Sequence, residues 1–136
     1  MKKILTFAVT SLLSFNALAG MVVIGNPANG ATLSESDVKK LFLGKKTRLD
    51  GSGNIQIIEL QDGSEGRLAF HALATGRTET QLQSAWSRLV FTGKANAPIQ
   101  VSNYTEMISK VASSPEAIGY VDESAVTGEV RILFKF

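Results

Sequence analysis

The chain has no cysteine, a single histidine and a single tryptophan in 136 residues. Without cysteine there is no disulfide framework, no thiol nucleophile and no thiolate metal site. No Cys/His/Asp/Glu set falls at metal-ligand spacing either, so neither a metal nor a cofactor is expected. A long hydrophobic run is also missing. The apolar stretch from Ile4 to Leu18 is interrupted by Thr6, Thr10, Ser11, Ser14 and Asn16, and it falls short of the roughly 20 apolar residues that a membrane span needs. Excess charge of one sign is lacking too. Without Lys2 and Lys3 the 14 basic residues become 12, against 12 acidic ones. A neutral domain with few aromatic clusters gives no electrostatic case for nucleic acid.

What stands at the N-terminus is a basic pair, a short apolar core and Ala17-Leu18-Ala19. This pattern predicts a secretory signal peptide over residues 1–19, cleaved after Ala19 and leaving no membrane anchor. Residues 20–136 then form one α/β domain, long enough to bury roughly two-thirds of its unfolded surface without staples. An exported, cysteine-free domain of this kind suits a bacterial periplasm.

Along the chain, Met21 to Gly25 is apolar and β-branched and reads as a strand. Ser34 and Asp37 open a helix as N-cap and capping box, Val38, Leu41 and Phe42 line its inner face, and Gly44 ends it. The basic cluster Lys39, Lys40, Lys45, Lys46 and Arg48 complements that helix C-terminus and solvates a face. Leu49 to Asn54 is a turn, and Ile55 to Leu60 a strand. A helix with Phe70, Leu73 and Ala74 inward runs to Thr75 before Gly76. The next helix opens on the capping box Thr78–Gln81 and carries the stripe Leu82, Ala85, Trp86, Leu89 and Val90 up to Gly93. That stripe makes Trp86 a core residue. Ile99 to Val101 is a short strand, and Ser102 or Asn103 caps a helix bearing Tyr104, Met107, Ile108 and Val111. Ala117 to Val121 is a buried strand. In the last strand Val130, Ile132, Phe134 and Phe136 alternate with Arg131, Leu133 and Lys135. No repeat or low-complexity linker occurs. The order β-α-β-α-α-β-α-β-β predicts an α/β fold, a mixed sheet flanked by helices.

The stretch with chemical content is Asp62-Gly63-Ser64-Glu65-Gly66-Arg67, between the strand ending at Leu60 and the following helix. A glycine-containing loop there leaves backbone N–H groups at the positive end of a helix dipole, a geometry that suits an anion. Asp62, Gly63, Ser64, Gly66 and Arg67 are therefore the candidate ligand residues, with Glu65 opposing an anion by charge. The competing reading is a capped helix start, with Asp62 or Ser64 as cap. A helix N-terminus supplies only about 0.3–1 kcal/mol toward an anion, whereas micromolar affinity needs about 8 kcal/mol. Catalysis is not expected. His71 lies on the helix seven residues past Ser64 and about two turns away from it, and a lone histidine there is a packing or hydrogen-bonding residue.

Several segments together resemble the periplasmic phosphate-binding proteins of ABC transporters, in particular small PstS-like proteins. They are Phe42-Leu43-Gly44-Lys45, Asp62-Gly63-Ser64 with Phe70, Trp86, Phe91-Thr92-Gly93-Lys94, Tyr104 to Ile108, and Pro115-Glu116-Ala117-Ile118-Gly119-Tyr120-Val121. The resemblance spans about Leu33 to Val121 and implies a single lobe of the type II periplasmic-binding-protein fold. In that family phosphate lies between two α/β lobes on an Arg-Ser-Asp-Gly-Ser-Gly-Thr loop. Aligned on Asp62-Gly63-Ser64, the family's arginine falls at Leu60, its serine at Gln61, and its glycine and threonine at Glu65 and Gly66. The resemblance implies a non-catalytic, exported solute-binding-like protein for phosphate or another small oxyanion. A repurposed lobe, docking an envelope or transporter protein, is the alternative.

Overall fold

The computed structural model describes residues 20–136; the expected signal peptide lies outside them. Twelve short elements follow in order: β1 (Met21–Gly25), α1 (Glu35–Phe42), β2 (Arg48–Leu49), β3 (Gly53–Asn54), β4 (Gln56–Leu60), α2 (Glu65–Ala74), α3 (Glu79–Phe91), β5 (Ile99–Val101), α4 (Tyr104–Ser113), β6 (Ala117–Asp122), a 3-10 turn (Glu123–Ala125) and β7 (Arg131–Lys135). Five strands form one sheet in the order β5-β4-β6-β1-β7. β4 runs parallel to both β5 and β6, while β1 is antiparallel to β6 and β7. The expected mixed sheet flanked by helices is the observed architecture.

Alternation along β6 explains how two helical layers attach. Gly119 faces α4, where a Cβ would come within 2.5 Å of Met107 Sδ and 3.2 Å of Val111. Tyr120 faces the other way, with its ring stacked on Phe70 of α2 at 3.8 Å between centroids and edge-on to Phe42 of α1 at 5.8 Å. All three of these rings are fully buried. Each is worth about 1.5–3 kcal/mol by burial, with a further 0.5–1.5 kcal/mol for each aromatic pair.

Helix boundaries follow local chemistry. Ser34 and Asp37 form the expected capping box of α1, and Thr78 and Gln81 that of α3. Asn103, not Ser102, caps α4 by accepting from the Glu106 N–H. The chain leaves α1 through Gly44 at φ +69°, against Trp86 and Leu89 of α3. Trp86 is buried and donates its indole N–H to the Phe42 carbonyl at 3.1 Å, so the C-terminal end of α1 and the middle of α3 are tied together.

Four expectations are corrected. The turn at Leu49–Asn54 is a small hairpin, with Arg48 opposite Asn54 and Leu49 opposite Gly53. Leu73 is half exposed, because α2 turns Arg67, Phe70, His71 and Ala74 inward instead. Two polar side chains displace the leucine from the inner stripe because they meet a buried glutamate under the helix. Val90, at the end of the α3 stripe, is 42% exposed, at the rim of an open groove shared with Ala97, Pro98 and Gln100. In β7 Leu133 is buried and Phe136 lies at the surface. The β1–β7 register slips between Val23 and Ile24, which pair with Phe134 and Ile132 and leave Leu133 as the extra residue. This bulge inverts the alternation, and Leu133 fills the space where a Cβ on Gly25 would stand.

Gly44 and Gly51 both have φ near +70 to +80°, but only Gly44 has neighbours within 4 Å of an added Cβ, with Leu89 at 2.6 Å and Trp86 at 3.0 Å. Gly44→Ala is expected to lower unfolding free energy in urea by about 2–4 kcal/mol, and Gly51→Ala by about 1 kcal/mol. Equal losses would mean that the α1–α3 contact contributes nothing.

Candidate functional site

β4 delivers a buried carboxylate to the sheet's upper end. Glu59 is fully buried and would be costly there unless paired. His71 Nε2 lies 2.8 Å from one carboxylate oxygen, and Arg67 Nη1 lies 3.6 Å away. The Tyr120 hydroxyl accepts from the Leu60 N–H at 3.1 Å. Burial first, and the Glu59 charge second, push the Tyr120 hydroxyl far above its ordinary range, so it remains protonated. His71 Nδ1 meets Thr75 Oγ1 at 3.0 Å, one helical turn on. Glu59, His71 and Thr75 thus form a carboxylate–imidazole–hydroxyl row, sealed from solvent.

Arg67 enters this cluster from the first turn of α2. Its side chain is 4% exposed and engages three carboxylates: Glu59, Asp62 at 3.3 Å and Glu79 at 2.9 Å. Burial alone would lower the guanidinium pKa; the charges of Glu59 and Glu79 more than reverse this, so Arg67 stays cationic. Glu79 comes from the first turn of α3 and reaches back to the glycine loop. One of its oxygens accepts from Arg67 Nε, the other from the Gly63 N–H at 2.8 Å. Burial opposes ionisation of Glu79, but the hydrogen bonds from Arg67 and Gly63 hold its carboxyl below the usual range.

The loop therefore holds an anion, and that anion is the chain's own Glu79. Asp62 is exposed, salt-bridged to Arg67 and hydrogen-bonded by Gln100 Nε2 at 2.8 Å. Gly63 supplies the left-handed turn at φ +72°. Three of the five expected ligand residues, Asp62, Gly63 and Arg67, are thus joined in an internal network, with no cation left over for a solute.

Ser64 and Gly66 face a different space. Ser64 is the N-cap of α2 by backbone geometry, yet its hydroxyl makes no capping bond. Ser64 Oγ is buried and has no hydrogen-bond partner. It borders a cavity of about 430 Å³ with Leu60, Glu65, Gly66, Tyr104 and Asp122. The first-turn N–H groups of α2, which no intrahelical carbonyl can reach, lie at the same end. Gly66 lies close against the site, where a Cβ would come 2.7 Å from a Leu60 methyl and 2.8 Å from the Tyr104 hydroxyl, so both side chains would have to shift. Burial, then the charges of Asp122 and Glu65, raise the Tyr104 pKa, so the cavity is lined by donors but rimmed with negative charge. His71 bonds Glu59 and Thr75, so Ser64 and His71 make no nucleophile–base pair. Sequence reasoning missed Glu59 and Glu79 as partners of the loop. The capping box Thr78–Gln81 was the only signal that placed Glu79 at a helix start.

No protein-family model and no curated protein matches the sequence. Solved structures do. An ABC-type phosphate transport receptor from Vibrio cholerae superposes with a TM-score of 0.68 at 20% identity, covering 84% of this chain and 45% of the receptor. The fold is that of the PstS-type substrate-binding proteins. A putative phosphate ABC transporter substrate-binding protein with bound phosphate from Clostridium perfringens gives 0.67 at 21% identity, covering 84% and 44% of the two chains. PstS from Borrelia burgdorferi gives 0.60 at 18% identity, covering 84% and 46%. The chain thus spans less than half the length of these PstS-type proteins.

Removing Arg67 strands Glu59 without its cation. Arg67→Met is expected to cost about 3–5 kcal/mol in urea unfolding at neutral pH, and a loss under 1 kcal/mol would contradict the ion-pair geometry. The Glu79 carboxyl has a folded pKa below its unfolded value, so its stabilisation is present above about pH 4.5 and is lost as pH falls below that value. Between pH 5 and pH 3 the wild type should lose more thermal stability than Glu79→Gln, measured by circular dichroism.

Proposed function

We propose that residues 20–136 are an exported, non-catalytic binding lobe that takes phosphate or a similar small oxyanion weakly at the N-terminus of α2. The observation that carries this reading is the buried, unpartnered Ser64 Oγ beside the free first-turn N–H groups. The fold it shares with phosphate-binding proteins supports the same ligand class.

Magnitudes set the affinity. A serine hydroxyl and two backbone N–H groups give three bonds to a charged group, each worth about 1.5–3 kcal/mol, with about 0.3–1 kcal/mol from the dipole. Against this stand the Glu65 and Asp122 charges at the cavity and the cost of immobilising the ligand. With Arg67 neutralised internally, the balance points to millimolar binding, near 4 kcal/mol, and not to the micromolar or tighter capture that a free arginine would support.

Titrating phosphate and sulfate by calorimetry or ligand-observed NMR tests this. Binding in the millimolar range is expected, abolished by Ser64→Ala and strengthened by Glu65→Gln. No phosphate binding up to about 50 mM would overturn it. Export is tested separately: mass spectrometry of the periplasmic fraction should find a mature N-terminus at Gly20.

A second reading has its own observation. The self-filled loop, with Glu79 occupying Arg67 and Gly63, favours a lobe that has exchanged solute capture for docking an envelope or transporter protein. Loss of phosphate binding together with a stoichiometric partner, recovered by cross-linking in the native periplasm, is the outcome that would select it.

A further inference from the structure

Among the described residues β5 is the last strand on its side of the sheet, and its outer edge has no strand partner there. Ile99 and Gln100 on it are exposed. Beside this edge lies a groove of about 510 Å³ between α3 and β5, bordered by Gln83, Ser87, Val90, Phe91, Pro98 and Gln100. Phe91 stands next to it with its ring 92% exposed, and Val90 is 42% exposed. Fully exposed phenylalanine on a well-capped helix, with an apolar groove and an open strand edge alongside, marks an interaction surface.

We propose that this surface binds a second copy of the same chain, with two β5 edges pairing antiparallel about a two-fold axis near Gln100. The face carries both a protruding ring and a groove. A two-fold operation is the arrangement that lets each Phe91 enter the other copy's groove while each groove receives a ring. Charge follows the same symmetry. Lys94, which precedes β5 and borders the same pocket as Asn54 of β3 and Gln56 of β4, and Arg88 on α3 are exposed at one end. Asp62 and Glu106 are exposed at the other end, tied to Gln100 and to the Ser102 N–H. Antiparallel pairing sets the cationic end of one copy against the anionic end of the other, whereas parallel pairing would set like against like. Residues 20–136 carry 12 basic and 12 acidic side chains, so overall charge does not oppose association. A three-residue strand offers few backbone bonds, and the Phe91 ring is therefore the anchor.

Sedimentation velocity of the purified protein from about 1 to about 500 µM tests the proposal. A reversible monomer–dimer equilibrium is expected within this range. Phe91→Ser, at a site too exposed to affect folding, should raise the dissociation constant by at least about tenfold, and Lys94→Glu should also weaken the dimer. The cysteine-free chain allows a positional check. Gln100→Cys should form an intermolecular disulfide with its own copy under mild oxidation, and should lose it when combined with Phe91→Ser. Lys135→Cys, on the opposite edge, should not cross-link. A monomer throughout, a dimer indifferent to Phe91→Ser, or cross-linking through Lys135→Cys in place of Gln100→Cys would each overturn the proposal.

Discussion

The buried carboxylate of Glu59 constrains everything around it. An ionised group at that depth must find cations and donors or be neutralised, and the structure supplies Arg67 and His71. These demands fix the rotation of α2. With Arg67 and His71 turned to the sheet, Phe70 and Ala74 fall inward and Leu68 and Leu73 are left outside. They also fix α3, whose first turn brings Glu79 to the remaining face of Arg67. The glycine loop between β4 and α2 is thus held by one polar knot, with Trp86 fastening the other end of the helical layer.

This knot alters what the loop can do. Loop and helix dipole together make an anion site, but the first claim on that site is intramolecular. Glu79 takes both the Gly63 N–H and the Arg67 guanidinium. One guanidinium, that of Arg67, serves the carboxylates of Glu59, Asp62 and Glu79 in this network. On the far side of the loop, the Ser64 hydroxyl and the first-turn N–H groups of α2 stand outside this network. Affinity and stability have been separated: Arg67 stabilises the domain, and Ser64 is the group with unused hydrogen-bonding capacity.

The apolar surface has an equally physical origin. The stripe of α3 that begins with buried Leu82 and Trp86 ends in half-exposed Val90, and Phe91, on the opposite side of the helix, is left in solvent. Helical periodicity predicts which residues share a face; it does not say where the sheet under that face stops.

Local elements were legible from the residues themselves. Capping boxes at Ser34 and Thr78, stop glycines at Gly44, Gly76 and Gly93, and the apolar runs of β1 and β6 depend on interactions within a few residues, and the mixed α/β architecture follows from their order. The composition, too, excluded thiol chemistry before any coordinates. Tertiary structure decided the rest, because it depends on partners far apart in sequence. Glu59 gained significance only when α2 placed His71 and Arg67 above it. Arg67 looked like a ligand until Glu79, twelve residues on, closed over it. The bulge at Leu133 reversed a strand's faces through a pairing with β1, more than a hundred residues away. Sequence determined which loop carries anion chemistry; the fold determined that the loop's first anion is the protein's own.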